Sequence, residues 1–370
     1  MAEARPGTLS GMAQERVLRA ALSGGAILFT VGALDVALGV VSAAHVSPVH
    51  LSNRRVSVAL DCYPSNPRGY FDVDLRDPDK RRGYEASHVR GLQQSWSHLP
   101  FAVELRFNSL QFRDREFGPR RRGVRRVAVL GDSFTEGQGV KEADTYPRRL
   151  EALLNQAQPG QWEVLNWGRR GADFPRLYDT FEQILEYEPD VVVYGMFLND
   201  VEQSDAFRAR NAYVNDWMER RALAQGRRDT GLLDFVFERL ERRRLDREAL
   251  RWYSQMYAEP NREGWERTQA HLRDMHRRMQ ERGGRLLVAD WPVLAVGDAR
   301  DGLAPAHQAI ARACAAAGIP HHDLRGPLSA ADPSSLWVHP LDQHPNELAH
   351  RLAAESLAPA VRALATSPRS

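Results

Sequence analysis

The sequence predicts an α/β protein, a three-layer α/β/α sandwich around a parallel sheet of about five strands. Three observations carry that reading. Short apolar runs recur at Val127–Leu130, Trp162–Leu165, Val191–Tyr194, Arg285–Trp291 and Ile319–Leu324, as expected of strands buried on both faces. Between them lie stretches of helical periodicity, Thr145–Asn155, Asp173–Tyr187 and Ala304–Ala317, long enough to cross back over a sheet and set the next strand parallel. Glycine and polar residues crowd the carboxyl ends of the first three runs, where open parallel sheets bind ligands. A chain of 370 residues with 43% hydrophobic content suffices for one such domain plus an appendage.

In chain order, residues 1–19 are mostly polar, and Ala20–Ala44 follows as an apolar stretch whose only charge is Asp35. At about 1.5 Å per residue it can cross a bilayer core of roughly 30 Å. We expect a single membrane anchor here; a secreted chain cleaved after Ser42-Ala43-Ala44 and a buried soluble helix are the rival readings. Arg5, Arg16 and Arg19 precede the stretch and Arg54 and Arg55 follow it. That count tilts toward a cytoplasmic amino terminus and an extracytoplasmic main domain. Residues 45–123 read as an accessory β-rich region with strands at Phe71–Leu75 and Phe101–Phe107. Its tail, Asn108-Ser109-Leu110-Gln111-Phe112-Arg113, is either an extra edge strand or a wall over the site. Arg120–Arg122 with Arg125 and Arg126 reads as a solvated flank, anionic headgroups or polymers being the alternative.

Residues 124–370 form the main domain, with a helical insertion at about 200–282. Within it Glu219–Tyr257 carries apolar residues at helical spacing among dense charges, fit for packing helices or a lid. Glu347 opens a closing helix that should end near Leu357, ahead of Pro359. The formal charge is only +2, so no nucleic-acid partner is implied. Cys62 and Cys314 offer neither a metal spacing nor a disulfide framework.

Four clusters can carry chemistry. Val127–Leu130 runs into Gly131-Asp132-Ser133, a strand ending in a sharp turn that leaves a serine at the sheet edge. Asn166-Trp167-Gly168-Arg169-Arg170-Gly171 follows the second strand, where a residue without Cβ lets a backbone N–H approach a reacting carbonyl. The third strand ends in Gly195-Met196-Phe197-Leu198-Asn199-Asp200, whose asparagine is either an amide donor or a helix cap. Late in the chain, Leu341-Asp342-Gln343-His344-Pro345-Asn346 sets a carboxylate two residues from an imidazole, a pairing suited to a serine's base.

In this order the clusters resemble blocks I, II, III and V of the SGNH (GDSL) hydrolase superfamily, over Arg125–Leu357. Asn108–Arg113 resembles the N-S-x-G-F-R segment often found upstream, with Gln111 for glycine. Phe197 stands where block III commonly has glycine, and the Asp–His spacing is two where three is commoner. The resemblance implies a flavodoxin-like fold and a serine-dependent ester (acyl) hydrolase that needs no metal and no cofactor. Ser133 would be the nucleophile, His344 the general base and then acid, and Asp342 the residue that orients the imidazole. The oxyanion hole would comprise the N–H groups of Ser133 and Gly168 and the side chain of Asn199. The implied substrate is a small-molecule or carbohydrate ester. Two alternatives stay open: an O-acyltransferase acting on carbohydrate hydroxyls with the same triad, and a non-enzymatic anchored protein on a degenerate version of the fold. His322, Asp323, Asp332 and His339 are rival acid–base candidates that lack the D-x-H-P spacing before a helix.

Overall fold

The computed structural model describes residues 102–212, 248–294, 302–329, 331–339 and 342–366, the strand pieces 71–74 and 81–82, and helical residues at 15, 16, 19, 22–34 and 36. A small sheet precedes the main one: β1 (Phe71–Asp74) lies between β2 (Arg81–Arg82), antiparallel to it, and β3 (Ala102–Leu105), parallel to it. The main domain then alternates β4 (Arg125–Gly131), α1 (Ser133–Glu136), α2 (Tyr146–Ala157), β5 (Trp162–Gly168), α3 (Phe174–Leu185) and β6 (Val191–Phe197). There follow α4 (Asp205–Arg210), α5 (Arg262–Glu281), β7 (Arg285–Trp291), α6 (Ala304–Ala316) and β8 (His321–Asp323). The end of the domain is α7 (Arg325–Leu328), the hairpin of β9 (Trp337–His339) and β10 (Asp342–Pro345), and α8 (Glu347–Thr366).

The expected parallel sheet has five strands in the order β5-β4-β6-β7-β8. Its three layers follow from strand alternation, because successive side chains point to opposite faces. Val127 and Val129 of β4, Val191 and Val193 of β6 and Leu287 and Ala289 of β7 join one core, with Leu150 and Leu154 of α2 and Ala353 and Leu357 of α8. Ala128 and Leu130, Val192 and Tyr194, and Leu286 and Val288 join the other, under Leu177 and Phe181 of α3, Leu272 and Met275 of α5 and Ile310 of α6. The chain leaves β4 toward β5 on one side and returns to β6 on the other, so the strand order reverses around β4. A crevice at the carboxyl ends is the geometric consequence.

Two expectations are corrected. The closing helix does not stop before Pro359 but runs through it to Thr366. A proline inside a helix loses a hydrogen bond and costs about 3 kcal/mol or more; the burial of Leu357, Ala358 and Val361 on either side offsets it, at about 1.5–3 kcal/mol for each large apolar side chain. The helical insertion is also shorter than the sequence suggests. α5, inside the expected 200–282, is the crossover helix between the parallel neighbours β6 and β7, and its Leu272, Met275 and Met279 belong to the core. Residues 213–247, which hold most of the candidate lid, lie outside the described residues, while 248–256 are helical.

Within the expected anchor, residues 22–34 and 36 are helical, with Leu22, Ile27, Leu28 and Phe29 exposed. The remainder of 20–44 lies outside the described residues. Among the described residues no helix is long and apolar enough to cross a membrane.

Candidate active site

Gly131, Gly168 and Gly195 stand in register across β4, β5 and β6, at the carboxyl edge beside the switch point. This row without Cβ atoms seats the short helix α1. A Cβ on Gly131 would overlap Thr135 Oγ1, one on Gly168 would overlap the backbone of Thr135 and Glu136, and one on Gly195 would overlap the Tyr146 hydroxyl. Asp132 caps α1, its Oδ1 accepting from the Phe134 N–H at 2.9 Å. Ser133 is therefore the first helical residue, half-buried at the mouth of the crevice, and its N–H has no hydrogen-bond partner among the described residues. Gly137 ends the helix with φ 83°, its N–H donating to Ser133 O.

The histidine arrives from the other end of the chain. Asn346 accepts from the Leu348 and Ala349 N–H groups at 3.0 and 3.1 Å, and donates to the carbonyls of Ser335 and Trp337 at 2.8 and 3.1 Å. It thereby starts α8 and ties that start to the β9–β10 hairpin. His344, just ahead of it on β10, comes within 2.8 Å of Ser133 Oγ through Nε2, and the Phe134 ring lies 5.4 Å away by centroids. Asp342 begins the same strand, paired with His339; the side chains of both lie outside the described residues. Of the remaining rivals, His322 Nε2 bonds Ser356 Oγ at 2.7 Å and Asp323 pairs with Arg325. Asp332 lends its carbonyl to Ser335.

Asn199 lies on the turn after β6. Its neighbour Asp200 is fully buried and holds that turn, accepting from the Tyr194 hydroxyl at 2.9 Å and the Phe197 N–H at 3.0 Å. Phe197, in the place of the commoner glycine, stacks its ring on Phe134 at 4.2 Å. The cap of the following helix α4 is Ser204, which accepts from the Phe207 N–H, so Asn199 does not cap it. Asn199 Oδ1 is buried with no partner among the described residues. Gly168 is differently employed from the expectation: its N–H donates to Asn166 Oδ1 at 2.9 Å, and its missing Cβ makes room for α1. Gly171, farther along that loop at φ 65°, has an N–H with no hydrogen-bond partner among the described residues. The loop is held to the end of β4 by Arg169 N–H on Gly131 O at 3.0 Å and to α1 by Arg170 on Glu136.

Sequence reasoning missed Asp132 as a functional group. Its carboxyl is buried beside Ser133, with Oδ2 3.4 Å from Oγ. Burial pushes it up to about 6, opposed by the Phe134 N–H and by the charge of His344. Burial, and then the charge of Asp132, push Asp200 well above the ordinary carboxylate range. The available signal was a carboxylate at a cap position immediately before the serine.

Residues 129–352 match the profile of the GDSL-like Lipase/Acylhydrolase family, more than half of the chain. The chain belongs to this family. It is thus an ester hydrolase of the SGNH superfamily, and the matched span contains Ser133, Gly168, Asn199, Asp342 and His344. Among solved structures it is similar to the acetyl xylan esterase AlAXEase at 18% identity, with 64% of this chain and 99% of that one covered and a TM-score of 0.40. It is similar to TesA at 13% identity, with 65% and 99% covered and a TM-score of 0.41. A third is an acetylxylan esterase from Geobacillus stearothermophilus, at 13% identity, 66% and 95% coverage and a TM-score of 0.40. A search of the curated proteins found no match. Membership rests on the profile match alone. In this GDSL hydrolase no group of three or more His, Cys, Asp or Glu side chains among the described residues could hold a metal ion. Cys314 is buried in α6, its thiol pushed up to about 12 by burial, and Cys62 lies outside the described residues.

Proposed function

We propose that this GDSL hydrolase is a serine esterase, with Ser133 as nucleophile, His344 as proton carrier and Asp342 as the carboxylate that orients the imidazole. The observation that carries the reading is the 2.8 Å approach of His344 Nε2 to Ser133 Oγ at the carboxyl edge of the sheet. A neutral serine hydroxyl is a poor nucleophile near neutral pH and needs an adjacent base. In the first half-reaction Oγ bonds to the ester carbonyl carbon while its proton passes to Nε2. The tetrahedral adduct then collapses, the C–O bond to the alcohol breaks, and the departing oxygen takes the proton back from Nε2. Water repeats the sequence on the acyl-enzyme, releasing the acid and restoring the Ser133 hydroxyl. The oxyanion of each adduct is met by the Ser133 N–H, the Asn199 side-chain amide and a backbone N–H of the Gly168–Gly171 loop. Gly171 suits that last place better than Gly168, because the Gly168 N–H is already given to Asn166.

Ser133→Ala should abolish release of p-nitrophenol from p-nitrophenyl esters and labelling by a fluorophosphonate probe, with the unfolding midpoint preserved. Labelling at another residue, or turnover in the variant, overturns the assignment. Running the assay with an oligosaccharide present separates the two fates of the acyl group, since acceptor-dependent turnover would make the protein an O-acyltransferase.

A further inference from the structure

We infer that the loop Asn108–Asp114, outside the catalytic clusters, is a positioning element that sets the nucleophile turn and the oxyanion loop at their working separation. This rests on the reading of Ser133 as nucleophile. The loop closes on itself first: Asn108 Oδ1 accepts from the Leu110 and Phe112 N–H groups at 3.1 and 2.9 Å, and its N–H donates to Phe112 O at 2.9 Å. Gln111 turns through φ 67° to make this possible, so the loop is a tight turn rather than an edge strand.

Three consecutive side chains then reach inward. Phe112 is fully buried against Trp167, with ring centroids 4.8 Å apart, and the Arg169 guanidinium lies over it at 4.8 Å. The Arg113 guanidinium, 1% exposed, donates to Gly137 O at 2.6 Å, Val140 O at 2.8 Å and Glu136 O at 3.4 Å, the carbonyls at and beyond the end of α1. It also reaches Glu104 O of β3 at 3.3 Å. The Asp114 carboxylate, 1% exposed, accepts from the Asn166 N–H at 2.7 Å and pairs with Arg148. One face of the loop therefore holds the residues that follow Ser133, and the other holds the strand end from which Gly168 and Gly171 depart. The hairpin bearing His344 is reached by the same region, through the packing of Val103 and Leu105 with Val140 and Val338.

Arg113 and Asp114 hydrogen-bond backbone groups of Glu104, Glu136, Gly137, Val140 and Asn166, so their effect runs through backbone placement. The planar guanidinium of Arg113 addresses four carbonyls from one fixed fork, which an ammonium cannot reproduce. A displacement of about 1 Å at a reacting group can cost roughly a hundredfold in rate. Arg113→Lys should lower kcat per active site, titrated with fluorophosphonate, by about 10- to 100-fold and leave KM for p-nitrophenyl acetate within about twofold. The rate of fluorophosphonate labelling should fall by a similar factor. Asp114→Asn keeps the side chain's size but loses the ion pair to Arg148; it should show the same split, and it tests the loop if Arg113→Lys fails to fold. A lowered unfolding midpoint with unchanged kcat per titrated site, in whichever variant folds, overturns the inference and leaves a merely structural loop. Absence of labelling at Ser133 in the unsubstituted full chain overturns the nucleophile reading and this one with it; labelling there with unimpaired variants overturns this one alone.

Discussion

Replacing Asp132 with asparagine should stabilise the fold near neutral pH while impairing turnover. A carboxyl raised to about 6 by burial binds its proton more tightly folded than unfolded, where its ordinary value is 3.8. Below the ordinary value both states are protonated and the group costs nothing. As pH rises through the interval to about 6 the unfolded state loses the proton first, and stability falls. A gap of two units at 1.36 kcal/mol each amounts to at most about 3 kcal/mol lost by pH 8. The amide of Asp132→Asn cannot ionise, yet its side-chain oxygen can still accept from the Phe134 N–H, so the cap survives. Urea unfolding near pH 3 should find the two proteins about equally stable, and near pH 8 the variant should lead by about 1–3 kcal/mol. Turnover should move the other way. The imidazolium formed on His344 loses a neighbouring negative charge, and if that interaction is worth about 1.4 kcal/mol, kcat falls about tenfold. A variant less stable than its parent near pH 8, or a stability difference independent of pH, would refute the buried-charge argument.

Asn199→Ala should lower kcat by roughly 10² to 10³ with little change in KM and hardly move the unfolding midpoint; Ser204→Ala should cost about 1 kcal/mol of stability and leave kcat alone. The reverse pattern, read by kinetics and calorimetry on the pair, would remove Asn199 from the oxyanion hole. Gln111→Gly should add about 1 kcal/mol of stability by relieving a left-handed backbone, with kcat unchanged; a loss on thermal unfolding would mean that the Gln111 side chain contributes more than the strain costs. For the stretch Ala20–Ala44 we expect full-length protein to pellet with membranes and resist carbonate extraction, whereas a mature terminus at His45 would indicate a cleaved secretory signal.

The parallel sheet was legible in the sequence because burial on both faces writes itself into continuous runs such as Val191–Tyr194, and the catalytic candidates because Ser133 and Asn199 each follow such a run. His344 could be recognised from its place ahead of a closing helix, although 211 residues separate it from Ser133. Local pattern did not reveal what depends on distant partners. The end of α8 was misjudged because a proline's local cost is overruled by the core on which Leu357 and Val361 pack. The glycine at 168 was read as an approach to substrate, but its Cβ would meet α1, an element from another part of the chain. In the sequence Arg113 is only the end of the Asn108–Arg113 segment and Asp114 does not stand out, and only the fold puts them under the carbonyls of Gly137 and Val140 and the amide of Asn166. The same holds for Asp132, whose residue type is plain in the sequence but whose proton affinity is set by the burial that tertiary packing imposes. Periodicity and strand-end chemistry are properties of neighbours along the chain; close approach, desolvation and the positioning of a nucleophile are properties of neighbours in space.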